Sequence, residues 1–291
     1  MTVSSGNTFG AAYLGILVEA ILYGVTGVQT YIYLNNSHRD PRIIVTIVLV
    51  LWVLDTLHLA LTVHAVYIYL VENFGNFNAI RSPTWSILVQ VYIMNISDSL
   101  VRSYFAWRVF VLCGKYGRRK LGLILSGSIM SLSLVAAGSL ANFASRAFAL
   151  KTFEQLATEV SAMIYIGIGA AVSADILVAV CLCASLILMR TGSKGDSTVN
   201  FLLAFVINTG LLTCLVSIAC LVTFLVLQQT FVWIAIFISL GKLYINALLA
   251  SLNAREMVYR DHINTCTTNH QELTRPIAFN VDMSRTNDSR I

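Results

Sequence analysis

Glu19, Asp55, Asp98, Asp175 and Lys242 each fall near the middle of a different apolar stretch, and Arg102 lies one helical turn beyond Asp98. Carboxylates, an ammonium and a guanidinium can bind an ion, hold or pass a proton, or lock helices together as ion pairs. In apolar surroundings each role has a large energetic weight. A charge at the centre of a membrane helix costs about 2.5 to 3.5 kcal/mol on insertion scales, and such residues persist where they pair inside a helix bundle. Four acids against Arg102 and Lys242 leave two surplus negative charges if every group is ionised. Either two carboxyls hold protons, or His58 is charged, or a cation occupies the site.

Helical periodicity sets these groups on faces. Trp52, Asp55, His58 and Thr62 share one face of the second apolar segment, and Asn95, Asp98 and Arg102 share one of the third. Ser239, Lys242, Asn246 and Asn253 line the seventh, and Glu19, Tyr23, Thr26 and Thr30 line the first. Lipid cannot solvate such stripes, so they must face protein or water. Asp55, Asp98, Asp175 and Lys242 all lie roughly 18 Å into their segments at 1.5 Å per residue. The expectation is one enclosed chamber at mid-bilayer height. Its candidate ligand- or ion-binding residues are Asp55, His58, Asp98, Arg102, Lys242, Asn246, Glu19 and Asp175. The structural alternative makes Asp98 with Arg102, and Lys242 with Asp55, fixed pairs that lock the fold.

The chain is 57% hydrophobic and 11% charged, against about 25% charged in soluble domains, which points to a polytopic membrane protein. Seven windows reach the roughly 20 apolar residues that a bilayer crossing needs. They span 9–34, 43–71, 85–112, 121–144, 160–189, 201–227 and 231–252, and Pro41, Pro83 and Pro276 all fall outside them. The fold class expected is therefore an all-α seven-transmembrane-helix bundle over residues 1–252. The fourth and sixth helices lack ionisable side chains in their interiors and should contribute packing, aided in the fourth and fifth by small residues such as Gly138 and Gly167.

Lysine and arginine placement gives the orientation. The first, third and fifth loops and the tail hold thirteen of these residues, whereas the N-terminus and the other loops hold only Arg81, Arg146 and Lys151. The N-terminus is then outside, the first helix acts as a signal anchor, and the C-terminus is cytosolic. Residues 253–291, poor in apolar positions, should form a mostly disordered cytosolic tail, with a short amphipathic continuation through Met257 and Tyr259. The net charge of +5 resides in loops, so it serves membrane orientation and not a nucleic-acid partner. Lys115, Arg118, Arg119 and Lys120 are placed to hold anionic lipid headgroups. Arg108 should snorkel to headgroups from the end of the third helix.

Cys181, Cys183, Cys214 and Cys220 lie in apolar spans, and neither the cysteines nor the five histidines have zinc spacing, so no metal or cofactor is expected. No zinc-protease helix or Gly-x-Ser-x-Gly elbow is present, and the reading leans away from an enzyme.

Four strings carry a family resemblance: Val28 to Tyr33 (VQTYIY), Leu51 to His58 (LWVLDTLH), Asn73 to Asn76 (NFGN) and Lys242 to Arg255 (KLYINALLASLNAR). In these the chain resembles a large family of seven-helix membrane proteins of mushroom-forming fungi, catalogued as a domain of unknown function. The resemblance runs from about Leu14 to Arg255, and it implies seven helices and no established activity. The layout is also similar to that of G-protein-coupled receptors, but the motifs depart: Ala106-Trp107-Arg108-Val109 stands where an acid-Arg-Tyr triplet would, and the seventh helix lacks Asn-Pro-x-x-Tyr. Three functions stay open. The first is a receptor-like protein binding a small ligand or cation and engaging a cytosolic signalling partner. The second is a proton- or cation-coupled transporter or channel. The third is a retinal-binding protein using Lys242, as opsin-like proteins place a lysine in the last helix.

Overall fold

The computed structural model describes residues 10–37, 40–74, 82–115, 117–149, 161–192, 197–226 and 232–273, with backbone alone at 11–12, 161, 185–192, 197–209 and 256–273. The N-terminal residues 1–9, most of the second and fourth loops and the end of the tail lie outside this set. Seven α-helices are present among the described residues: α1 Ala11–Asn36, α2 Arg42–Tyr67, α3 Trp85–Lys115, α4 Arg119–Ala149, α5 Ser161–Gly192, α6 Ser197–Val226 and α7 Val232–Leu273. Each apolar window of the sequence coincides with one helix. A π-helical turn, Ile68–Glu72, extends α2. α7 continues to Leu273, well past the short continuation expected through Met257 and Tyr259. No glycine or proline lies between Lys242 and Arg275 to stop it.

Five of the helical segments are long and apolar enough to cross a membrane: Tyr13–Asn36, Arg42–Glu72, Arg119–Ala149, Ala162–Ala184 and Val232–Arg255. These make the chain a helical, multi-pass membrane protein in character. α3 is 31 residues long, but Gln90, Asn95, Asp98, Arg102 and Arg108 dilute its apolar content. Polarity is distributed inside out. On α1, Leu14, Leu17, Ile21 and Val28 are exposed while Glu19, Thr26 and Thr30 are buried. An aqueous protein would reverse that arrangement, because burying unpartnered polar groups is costly and exposing aliphatic ones gains nothing.

Chain neighbours pack as spatial neighbours from α1 through α7, and α7 closes the ring against α1. α3 also touches α5 and α7, so it crosses the middle of the ring. That position explains why α3 is buried on several sides, at Leu88, Ile93, Ser97, Val101, Tyr104 and Val109. α2 buries Ile44, Val48, Leu51, Asp55, His58, Thr62 and Ala65. Their alternating spacing of four and three residues is that of a left-handed helix seam, with Asp55, His58 and Thr62 occupying core positions. Trp52, expected on this face, instead lies outside it at 39% exposure, because a residue three before Asp55 falls one position off the seam that runs through Leu51.

α1 and α7 are parallel, as the first and last helices of an odd-numbered up-and-down ring must be. Gly15 sits against Ala235, Asn246 Nδ2 donates to the Leu22 carbonyl at 3.2 Å, and Asn253 Nδ2 donates to the Gln29 carbonyl at 3.0 Å. The residue numbers rise together along both helices. A Cβ at Gly15 would stand 2.7 Å from Ala235 Cβ and 2.9 Å from its Cα. Gly15→Leu is therefore expected to lower stability by about 1 to 3 kcal/mol through overpacking. A thermal melt of the detergent-solubilised protein reads this, and an unchanged midpoint would contradict the close α1–α7 contact.

α3 ends in a Schellman turn, in which Arg118 N–H donates to Cys113 O at 3.0 Å and Gly117 N–H donates to Gly114 O at 3.2 Å. Gly117 adopts φ of +70°, a left-handed conformation that glycine takes without Cβ strain. α4 starts at once, so Lys115, Arg118, Arg119 and Lys120 are exposed together at one tip. At the same end of the bundle Arg255 of α7 pairs with Asp40, which also accepts from Tyr33 Oη at 2.9 Å. Arg108 is half-buried and donates to Ser251 Oγ of α7. It is thus turned into the bundle and does not snorkel outward as the sequence suggested.

Candidate functional site

The eight candidate residues are all buried or nearly so, yet they form two networks and not one chamber. No hydrogen bond or ion pair among the described residues joins the two.

The first network is built by α1, α2, α3 and α7 around Lys242, which is 1% exposed. Its Nζ lies 2.6 Å from Asp55 Oδ1 and 3.5 Å from Glu19 Oε1, and donates to the Asp55 backbone carbonyl at 2.8 Å. Glu19 Oε1 also meets His58 Nδ1 at 2.7 Å and accepts from Thr62 Oγ1 at 3.3 Å. Gln90 Nε2 donates to Thr62 Oγ1 at 2.9 Å, which brings α3 into the network. Asn246 donates back to the Lys242 carbonyl at 2.9 Å as well as across to α1. The ammonium lies 5.3 Å from the Tyr23 ring centroid, within cation–π range. Three acceptor oxygens nevertheless have no protein partner: Glu19 Oε2, Asp55 Oδ2 and Asn246 Oδ1.

The second network is built by α3, α5, α6 and α7 around Asp175. Arg102 Nε donates to Asp175 Oδ1 at 3.0 Å. Tyr244 Oη donates to Asp175 Oδ2, and Ser217 Oγ donates to the same oxygen at 3.3 Å. The Tyr244 and Ser217 hydroxyls are themselves 3.0 Å apart. The Arg102 guanidinium carbon stands 5.2 Å from the Tyr244 ring centroid. Asp175 is thus fully satisfied, with one charged and two neutral donors across its two oxygens.

This geometry revises two expectations. Arg102 gives its ion pair to Asp175, across the bundle, and not to Asp98 on its own helix. Asp98 is buried beside the second network with Oδ1 unpartnered. Asn95, placed by periodicity on the face of Asp98, turns toward α4, where its Nδ2 donates to the Ala137 carbonyl at 2.8 Å. The Lys242 and Asp55 pair is present as read from the sequence.

The two surplus negative charges divide one to each network. Lys242 balances one of Glu19 and Asp55, leaving His58 or a proton to balance the other. Arg102 balances Asp175, leaving Asp98. The voids beside these groups are small. One of about 10 Å³ is lined by Asp55, His58, Met94, Ser97 and Lys242. Another of about 40 Å³ is lined by Arg102, Phe105, Asp175, Thr213, Tyr244 and Ser251. On the scale of about 10 to 15 Å³ per water-sized occupant, they accept one to a few waters or a bare cation.

Periodicity overlooked Tyr244 and Ser217. Tyr244 lies two residues from Lys242 and so on the opposite side of α7, hidden in what reads as an aromatic core position. Ser217 had a usable signal: Thr213 and Ser217, four apart in α6, mark one polar-tipped face, and both are buried. α6 therefore contributes a hydroxyl to the network beyond plain packing. The His64 ring lies 5.1 Å from that of Trp85.

Residues 171–257 match the family model described as Family of unknown function (DUF6534), so this domain runs from within α5 through most of α7 and holds Asp175, Ser217, Lys242, Tyr244 and Asn246. No curated protein and no solved structure matches the chain.

Proposed function

We propose that the chain carrying this DUF6534 domain is a seven-span, receptor-like membrane protein whose buried networks respond to a small cation or a proton. The N-terminus is outside and the C-terminus cytosolic, a sidedness supported by the excess of lysine and arginine on one side of the ring. One observation carries the reading. Each network holds one carboxyl more than its lysine or arginine balances, and the voids that the two networks line are too small for an organic ligand. The occupant that such a site favours is a proton or a bare cation.

A receptor-like role is supported over a pore by what lies on the cytosolic side of Lys242. Val48, Leu51, Leu248, Leu249 and Leu252 are all 2% exposed or less and form one apolar cluster. That plug packs apolar side chains between Lys242 and the helix ends among the described residues. It also links the charged layer mechanically to the Arg255–Asp40 and Arg108–Ser251 contacts at the helix ends, where a cytosolic partner would read a change. The exposed Lys115, Arg118, Arg119 and Lys120 tip would sit against anionic headgroups, each charge contributing about 1 kcal/mol. A retinal linkage finds no support at Lys242, whose ammonium is already surrounded by three oxygens.

The test is hydrogen–deuterium exchange of the full chain in liposomes, with Na⁺ or pH stepped across the membrane. The expected result is an ion-dependent change in exchange at the cytosolic end of α7 that Asp55→Asn abolishes while expression and monodispersity persist. Absence of any ion-dependent change sinks the proposal. Steady proton or cation flux in the same liposomes would replace it with the transporter reading.

A further inference from the structure

We infer that Asp98 carries a proton in the resting protein and is an exchangeable proton site within the membrane, separate from the Lys242 network. This deepens the reading above by naming the ion and its residue in the second network, yet it stands on that network's geometry alone.

Three observations point to it. Asp175 takes the cation nearest to hand among the described residues: Arg102 Nε bonds its Oδ1 at 3.0 Å, and Tyr244 and Ser217 complete its Oδ2. No ion pair among the described residues holds Asp98, although it lies one turn from Arg102. Its Oδ1 is buried with no hydrogen-bond partner. A second carboxylate beside an already neutral pair would be an uncompensated buried charge, which proteins relieve by taking up a proton.

Among the described residues the surrounding elements offer no other compensation. The charged or titratable groups that bear on Asp98 are Arg102 on its own helix, Asp175 from α5 and Tyr244 from α7. α2 presents Asp55 and His58, and α7 presents Lys242, but these bond one another or Glu19 in the first network. α4 carries no ionisable side chain at this height. The neutral acid also gains what the carboxylate lacks, an O–H donor. Loss of that proton would set Asp98 against Asp175 for the single guanidinium. Arg102 would then be drawn from the α5 and α6 side toward α3, loosening Tyr244 of α7. Proton exchange at Asp98 is in this way coupled to the helix that bears the cytosolic Arg255 contact.

Infrared spectroscopy of the full chain in liposomes at neutral pH tests this. Wild-type protein is expected to show the carbonyl-stretch absorption of a protonated carboxyl, shifted in D₂O. Asp98→Asn should remove that absorption with an unchanged melting temperature, and Glu19→Gln should retain it. The assignment is overturned if wild type lacks the band, if Asp98→Asn keeps it in full, or if added Na⁺ displaces it, which would mark a metal-cation site. Failure of Asp98→Asn to fold would overturn it as well, because asparagine reproduces the shape and neutrality of the protonated side chain. These outcomes are independent of whether any response reaches α7, so they separate the proton site from the receptor-like reading.

Discussion

Lys242→Met is expected to destabilise the protein by about 3 to 5 kcal/mol, the loss seen when one member of a buried ion pair is removed and the other is left uncompensated. The side chain is among the most buried of the described residues, and among them it alone supplies a fixed positive charge to both Glu19 and Asp55. Methionine fills nearly the same volume, so little of the effect arises from a cavity. What remains is two carboxylates facing one another across α1 and α2 with His58 as their only cationic candidate. The measurement is the thermal midpoint and the monodisperse fraction after extraction. A second change makes the cause visible. Lys242→Met with Asp55→Leu removes the orphaned carboxylate and should recover a large part of the loss, a coupling well above the roughly 0.5 kcal/mol within which independent sites add. A double variant no better than the single would show that Lys242 acts through packing alone.

Arg102→Met should be as damaging, by about 3 to 5 kcal/mol on the same grounds, because Asp175 loses its charged donor while remaining buried. Tyr244 and Ser217 still donate to Asp175 Oδ2, so the carboxylate keeps neutral hydrogen bonds and loses the charge-assisted one. The double-mutant cycle discriminates between two pairings. Arg102 paired across the bundle with Asp175 predicts strong coupling between Arg102→Met and Asp175→Leu, and weak coupling between Arg102→Met and Asp98→Asn. The reverse order would restore the pairing of Asp98 with Arg102 within α3. Thermal midpoints of the three single and two double variants decide it.

The outcome of these cycles bears on why one part of the site was readable in the chain and another was not. Asp55 and Lys242 were legible as a pair because each is a lone charge in a long apolar run, and such charges have few places to go. Helical periodicity correctly joined Asp55 to His58 and Thr62, and Lys242 to Asn246, since residues three or four apart necessarily share a face. The same rule failed at Arg102. It placed Asp98 beside the guanidinium, but a side chain as long as arginine reaches past its own helix, and Asp175 with Tyr244 and Ser217 offered a better-satisfied partner. It failed at Asn95 and Trp52 because a face is wider than a contact: residues on its margins turn to whichever neighbour the crossing of the helices provides.

Composition and period by themselves determined the class of molecule, an all-helical chain of membrane character, and the helical faces on which the ionisable groups lie. These depend on solvation and on spacing along one chain, which are local quantities. Only the tertiary structure decided that the buried charges divide into two networks. That division rests on α3 crossing the ring between α2, α5 and α7, and on Lys242 and Tyr244 leaving opposite sides of one helix. Which helix faces which is a property of packing between segments far apart in sequence. Spacing within a segment carries no information about it.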